Sequence, residues 1–283
     1  MKLRCHAKIN LVLDVLNRRE DNFHNLDSIM LLVSLYDELE VKLNKSGEIN
    51  ITTFGMNLKK EDNLIYKCLN LLKNEYNFTE GFDVYLNKKI PLESGLGGGS
   101  SDAAGALKAA NELLKLNLSL DELALRGSQV GSDIPFFIFN QHARIKNKGE
   151  KVIALEEVNI NPYILLVKPN FGVSTKEAYQ TLNINELKHC DVDKVVKALS
   201  DGDYHLVCSL LFNSLEDSSF KLNSKLKDIK MELIDYGFDG ALMSGSGSTI
   251  FALTNDQELA VNGMEYFNNK YGFAQVVHIL KGV

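Results

Sequence analysis

From Pro91 to Ala104 the chain reads Pro-Leu-Glu-Ser-Gly-Leu-Gly-Gly-Gly-Ser-Ser-Asp-Ala-Ala, with glycine at 95, 97, 98 and 99. Glycines this dense let the backbone curl tightly and turn its N–H groups inward. A helix is expected to follow from about Ser101 to Leu114, and its first turn adds unpaired N–H groups and the positive end of the helix dipole. Together these make a cradle for an anion such as phosphate. Ser100 and Ser101 offer hydroxyls to cap the helix or to meet phosphate or a metal. Two familiar phosphate loops are excluded by spelling. A Walker A loop needs Gly-Lys-Ser/Thr, whereas Ser100 follows Gly99 here, and the sixth position of a G-x-G-x-x-G counted from Gly95 is again Ser100. The competing reading, a flexible surface turn, is disfavoured by the small residues Ala103, Ala104, Gly105 and Ala106, which suit a helix built for close packing.

The rest of the chain narrows the class of partner. Its 283 residues carry a net charge of −6, with 45% hydrophobic and 24% charged residues, the balance of a globular protein rather than a disordered one. An acidic chain argues against nucleic acid as a partner. There are five arginines (Arg4, Arg18, Arg19, Arg126 and Arg144), so an anion site must lean on lysine or backbone amides. Residues 1–19 nevertheless hold Lys2, Arg4, Lys8, Arg18 and Arg19 against Asp14 alone. The cysteines at 5, 68, 190 and 208 form no C-x-x-C pair, which speaks against a disulfide framework or zinc site. No apolar run approaches the ~18 residues of a membrane span. The expectation is a cytoplasmic chain with no membrane and no nucleic-acid partner.

Periodicity lays out the elements. Strands are expected at 2–16, 26–43, 48–54 and Phe82 to Leu86, and a helix from Asp62-Asn63, where Leu64, Ile65, Cys68, Leu71 and Leu72 recur at helical spacing. Helices at 120–128 and 133–137 precede several strands between 142 and 167. A seam at 159–162 divides the chain into domains 1–158 and 159–283. Beyond it, helices are expected near 174–181, 191–199, 203–212, 222–236 and 256–270, with strands at 248–253 and 274–280. This pattern suggests an α+β sandwich with helices over one face of an antiparallel sheet.

Two further spots carry chemistry. Asp133 precedes the apolar run Ile134-Pro135-Phe136-Phe137, so a carboxylate stands at the edge of the core and needs a partner or a purpose. It reads equally as a helix cap, because Pro135 falls at an early helical position. In Ala7-Lys8-Ile9-Asn10-Leu11, strand alternation puts Lys8 and Asn10 on one face, which reads either as a solvated outer face or as the lining of a polar cleft.

Together these segments resemble the GHMP superfamily of small-molecule kinases, which includes galactokinase, homoserine kinase and mevalonate kinase. The resemblance is carried by Pro91 to Ala104, by the late turn Leu242-Met243-Ser244-Gly245-Ser246-Gly247-Ser248, and by Ala7 to Leu11 followed by Arg18-Arg19-Glu20-Asp21-Asn22-Phe23-His24. Ser132 to Phe137 and Val173 to Tyr179 fit as well. The early motif narrows the resemblance to the branch that phosphorylates 4-diphosphocytidyl-2-C-methyl-D-erythritol on the non-mevalonate route to isoprenoid precursors. The resemblance implies a two-domain fold, with an N-terminal domain like ribosomal protein S5 domain 2 and a C-terminal ferredoxin-like α/β sandwich.

Residue by residue, it implies Lys8 and Asp133 as the catalytic pair. Pro91, Leu92, Glu93, Ser94, Gly95, Leu96, Gly97, Gly98, Gly99, Ser100 and Ser101 would surround the ATP phosphates, with Asn63 and Lys88 near the adenine. Asn10, Phe23, His24, Thr175 and Tyr179 would hold the cytidyl substrate. Mg²⁺ would accompany ATP, with Ser101 as its candidate ligand, in a monomer or weak homodimer. The alternatives are a homoserine- or mevalonate-type kinase, or a non-catalytic nucleotide-binding relative. This chain departs from the family pattern twice. Asn22-Phe23 stands where the family usually has Gly-Tyr, and Glu93 stands where small residues are usual, so its carboxylate must point outward or serve Mg²⁺.

Overall fold

The computed structural model describes residues 1–54 and 62–282. In chain order the first half runs β1 (Lys2–Arg18), β2 (His24–Asn44), β3 (Ile49–Phe54), α1 (Leu64–Tyr76), β4 (Gly81–Asn87), α2 (Gly98–Leu113), α3 (Leu120–Ser128), α4 (Ile134–Phe139), β5 (Ala143–Asn147) and β6 (Lys151–Ala154). The second half runs β7 (Tyr163–Val167), α5 (Thr175–Gln180), a 3₁₀ turn (Ile184–Glu186), α6 (Val192–Asp201), α7 (Tyr204–Ser209), β8 (Phe212–Asn213), α8 (Glu216–Leu222), α9 (Lys225–Tyr236), β9 (Gly240–Met243), β10 (Ile250–Thr254), α10 (Gln257–Tyr271) and β11 (Ala274–Val277).

Long antiparallel strands β1 and β2 form the spine of a seven-stranded sheet ordered β3-β4-β2-β1-β8, with β5 and β6 continuing from β2. The register shifts between His6 and Lys8, Asn10 and Val12, and Val15 and Asn17. Such bulges break strict alternation. They let Leu11 and Val12 both enter the core while Lys8 and Asn10 line one cleft. The outer face of this sheet is covered by α1, α2, α3 and α4. Small residues bring α2 close: a methyl group on Gly105 would lie 2.7 Å from Cys5 Sγ and 3.0 Å from Leu39 Cδ2.

The second sheet, β11-β7-β10-β9, is antiparallel throughout. One face meets the spine through Ile9, Leu11 and Val33, and the other packs on α9 and α10 through Leu233 and Phe267. Every residue of β10 is therefore buried, which explains its unbroken apolar run. The two sheets are laced together. β8 pairs in parallel with β1 at Val12 and Leu13, and the C-terminal tail returns to β2 with Leu280 N donating to Leu32 O at 3.0 Å.

The structure departs from the sequence reading in three places. The helix expected at 222–236 is α9, and a further helix, α8, precedes it over Glu216–Leu222, where none was expected; the two are parted at the extended Asn223, whose side chain accepts from Lys225 N. β9 occupies 240–243, where only a turn was expected. The helix expected to begin at Ser101 begins at Gly98, where the left-handed Gly97 stops it from extending further back.

Candidate active site

The two glycine-rich turns lie against each other. Ser94 O accepts from Thr249 N at 3.2 Å, Glu93 O from Ser248 N at 3.3 Å, and Ser244 Oγ donates to Gly95 O at 3.0 Å. Gly95 has φ +71°, and a methyl group there would stand 1.9 Å from the Ser244 carbonyl oxygen. Gly97 has φ +72°, and a methyl group would meet the Phe137 ring at 2.6 Å. The sequence thus uses glycine where neighbouring groups press against the backbone. From below, Asn213 Nδ2 on β8 donates to Met243 O and Gly245 O at 2.7 and 2.8 Å, fixing the second turn.

Lys8 is wedged between the turns. Its N–H donates to Leu96 O at 3.0 Å, and a methyl group on Gly245 would lie 3.3 Å from its Nζ. The residue is 3% exposed. Its ammonium donates to Asn10 Oδ1, Asn10 Nδ2 donates to Ser28 Oγ at 2.9 Å, and Ser28 Oγ donates to Val12 O at 2.5 Å. That chain fixes which way the Asn10 amide faces. Burial lowers the pKa of Lys8, and the nearby charge of Asp133 opposes the shift. The lysine acts on Asp133 through this field, since its hydrogen bond goes to Asn10. Asp133 occupies the N-cap position of α4 but caps nothing, and its carboxylate has no hydrogen bond or ion pair among the described residues. The cap reading of Asp133 fails on this geometry.

Lys8, Asn10 and Asp133 share a cleft of about 1160 Å³ with the loop from Pro91 to Gly95 and with Gly97 to Ser100. Phe23, His24, Thr175 and Tyr179 also line it. His24 lies on the face of Tyr179, ring centroids 5.0 Å apart and planes 24° from parallel. Burial first, and Arg18 second, lower the His24 pKa, which favours the neutral ring. Phe23 is 54% exposed, with Lys148 Nζ 5.4 Å from its ring centre. Thr175 Oγ1 and Ser246 Oγ are hydrogen-bonded at 2.8 Å.

Other residues named from the sequence are held differently from expectation. Asn63 caps α1, accepting from Ile65 N at 2.9 Å, and its neighbour Leu64 lines the cleft instead. Leu96 is fully buried, and Ser101, at 4% exposed, turns into the core while Ser100 faces the cleft. A metal role for Ser101 does not fit that placement. Lys88 does line the cleft, but it turns its ammonium inward to Asp37 and Asp102, so that group is not free to reach the adenine. Ser28 and Lys148 line the cleft without having been singled out, and Arg18 of the early motif joins them. Ser28 gave no signal, since its role depends on a strand register 18 residues away.

Residues 63–141 match the family described as GHMP kinases N terminal domain, and residues 195–272 match GHMP kinases C terminal. Over 273 residues the chain is 41% identical to 4-diphosphocytidyl-2-C-methyl-D-erythritol kinase of Clostridium novyi (strain NT), covering 96% of this chain and 97% of that one. Its identity to the protein of the same name from Clostridium tetani (strain Massachusetts / E88) is 38% over 273 residues, with the same coverage. The chain belongs to the 4-diphosphocytidyl-2-C-methyl-D-erythritol kinase family. A crystal structure of 4-(cytidine 5'-diphospho)-2C-methyl-D-erythritol kinase superposes with a TM-score of 0.84 at 30% identity, covering 100% of both chains.

As a member of the 4-diphosphocytidyl-2-C-methyl-D-erythritol kinase family, the chain has the α+β GHMP kinase fold and is an ATP-dependent small-molecule kinase. Its two departures from the family pattern now have a place. Asn22 adopts φ +66°, a conformation asparagine tolerates better than most residues. The Glu93 carboxylate lies over Gly172, where a methyl group would be 2.1 Å from Oε2. Among the described residues no helix is long and apolar enough to cross a membrane.

Proposed function

We propose that this kinase transfers the γ-phosphoryl group of ATP to a hydroxyl of 4-diphosphocytidyl-2-C-methyl-D-erythritol, with Asp133 as general base. The observation that carries the reading is a carboxylate unpaired among the described residues beside a buried lysine, in the same cleft as a glycine turn and a helix N-terminus. The N–H groups of Gly95 and of Gly97 to Ser100 receive the phosphates, since phosphoryl transfer asks a protein mainly for positioning and charge stabilisation. The acceptor hydroxyl gives its proton to Asp133. Its oxygen bonds to the γ-phosphorus as the bond to the bridging oxygen breaks, and ADP leaves. Lys8, held by Asn10, places positive charge beside the attacking oxygen.

Mg²⁺ accompanies the nucleotide in this reading and neutralises phosphate charge. Among the described residues no cluster of three or more His, Cys, Asp or Glu is arranged for a metal. The ion would be carried mainly by phosphate and water, with the Ser100 hydroxyl among the oxygen donors at the cleft wall.

At the acceptor end, Phe23 presents an open aromatic face and neutral His24 one donor and one acceptor, chemistry suited to a pyrimidine. Phe23 rather than Tyr179 offers the open stacking face, because His24 already lies on the Tyr179 ring. Base stacking is worth about 1–3 kcal/mol, so Phe23→Ala should raise KM for the cytidyl acceptor about tenfold and leave KM for ATP unchanged. Equal movement of both constants would make Phe23 structural.

A further inference from the structure

Beneath the glycine loop lies a charge cluster that the proposed chemistry does not use. Lys88 Nζ donates to Asp37 Oδ2 and, at 2.8 Å, to Asp102 Oδ2, with all three side chains at most 3% exposed. Asp37 Oδ1 also accepts from Lys89 N and from Ile90 N at 2.5 and 2.9 Å, just before the loop opens at Pro91. Asp102 stands in the second turn of α2, just after the loop closes. Lys88 lies directly under the first turn, because a methyl group on Gly98 would be 3.1 Å from its Nζ. Among the described residues Asp102 Oδ1 has no hydrogen-bond partner.

Stability is a poor reason for such a cluster. Burying two carboxylates around one ammonium incurs a desolvation cost that apolar side chains would avoid. Fixed geometry is what the cluster supplies, tying the chain before the loop to the helix after it through one cation. We infer that Asp37, Lys88 and Asp102 are positioning residues, a buried clasp that sets the spacing between the two ends of the phosphate loop and thereby its affinity for the ATP phosphates. The inference rests on the reading of the loop as the phosphate site.

The test uses inorganic tripolyphosphate with Mg²⁺, which carries the phosphates of ATP without its adenosine, as an inhibitor of the full-length enzyme. Misplacing a binding group by about 1 Å can cost up to ~10²-fold, so Asp102→Ala and Asp37→Asn should raise KM for ATP and Ki for tripolyphosphate together by about tenfold. KM for the acceptor should stay within about twofold. Asp102→Asn should restore both constants, because its amide oxygen still accepts from Lys88 and its N–H₂ donates to Asp37. Unchanged Ki in either folded variant overturns the clasp, as does a rise in KM for ATP alone, which would place the effect at the adenosine. If Asp102→Ala does not fold, Asp37→Asn decides by the same two constants. Failure of tripolyphosphate to compete with ATP in the unsubstituted enzyme would refute the loop reading itself, a separate outcome.

Discussion

Asp133→Asn is expected to lower kcat by about 10²–10⁴, the usual worth of a positioned general base. The substitution keeps the size and position of the side chain at the start of α4 and removes its ability to take a proton. Among the described residues Asp133 makes no cap or ion pair that the amide would break, so neither fold nor ATP affinity should change much. The loss should therefore fall on kcat, and on kcat/KM equally, as for an interaction realised only in the transition state. Near-normal kcat would remove Asp133 as the base and leave Lys8 and the loop amides as the whole of the catalytic apparatus.

Gly95→Ala should be among the most damaging single-methyl changes in the molecule. It would force an alanine to φ +71° and drive its methyl to 1.9 Å from the Ser244 carbonyl oxygen. Neither turn can retreat freely. Ser244 N is bonded to Thr249 O at 3.0 Å, and Asn213 holds the carbonyls on either side of Ser244. Backbone strain costs about 1–3 kcal/mol and overpacking about as much again, so a loss of about 2–6 kcal/mol is expected from a total of about 5–15. Gly99→Ala is the contrast. A methyl there meets only Leu64 Cδ1 at 3.7 Å, inside a helix that favours alanine by about 1 kcal/mol. Denaturant unfolding of the two variants should separate them clearly, and equal stabilities would contradict the contact between the turns.

Much of this arrangement was legible in the sequence because it rests on local signals. The opening of α1 at Asn63 and the alternation of β4 mark their elements directly. Lys8 and Asn10 were placed together by strand alternation, and the bulges in β1 preserved that pairing. What stayed hidden depends on distant partners. The resemblance implies Lys88 near the adenine, and the two acids that turn its ammonium inward come from β2 and α2, out of reach of any local pattern. The stacking of His24 on Tyr179 joins two residues from opposite halves of the chain, and no local pattern announces it. Helix α8 passes unread because its seven residues give periodicity too short a stretch to mark.

Whether the cleft joins ATP to a cytidyl alcohol is tested most directly by coupled measurement of ADP release with Mg-ATP and three alcohols: diphosphocytidyl-methylerythritol, homoserine and mevalonate. Acceptor-dependent ADP release is predicted with the first alone, abolished or nearly so by Asp133→Asn. Comparable release with homoserine or mevalonate, or none with the cytidyl substrate, would contradict the proposed function.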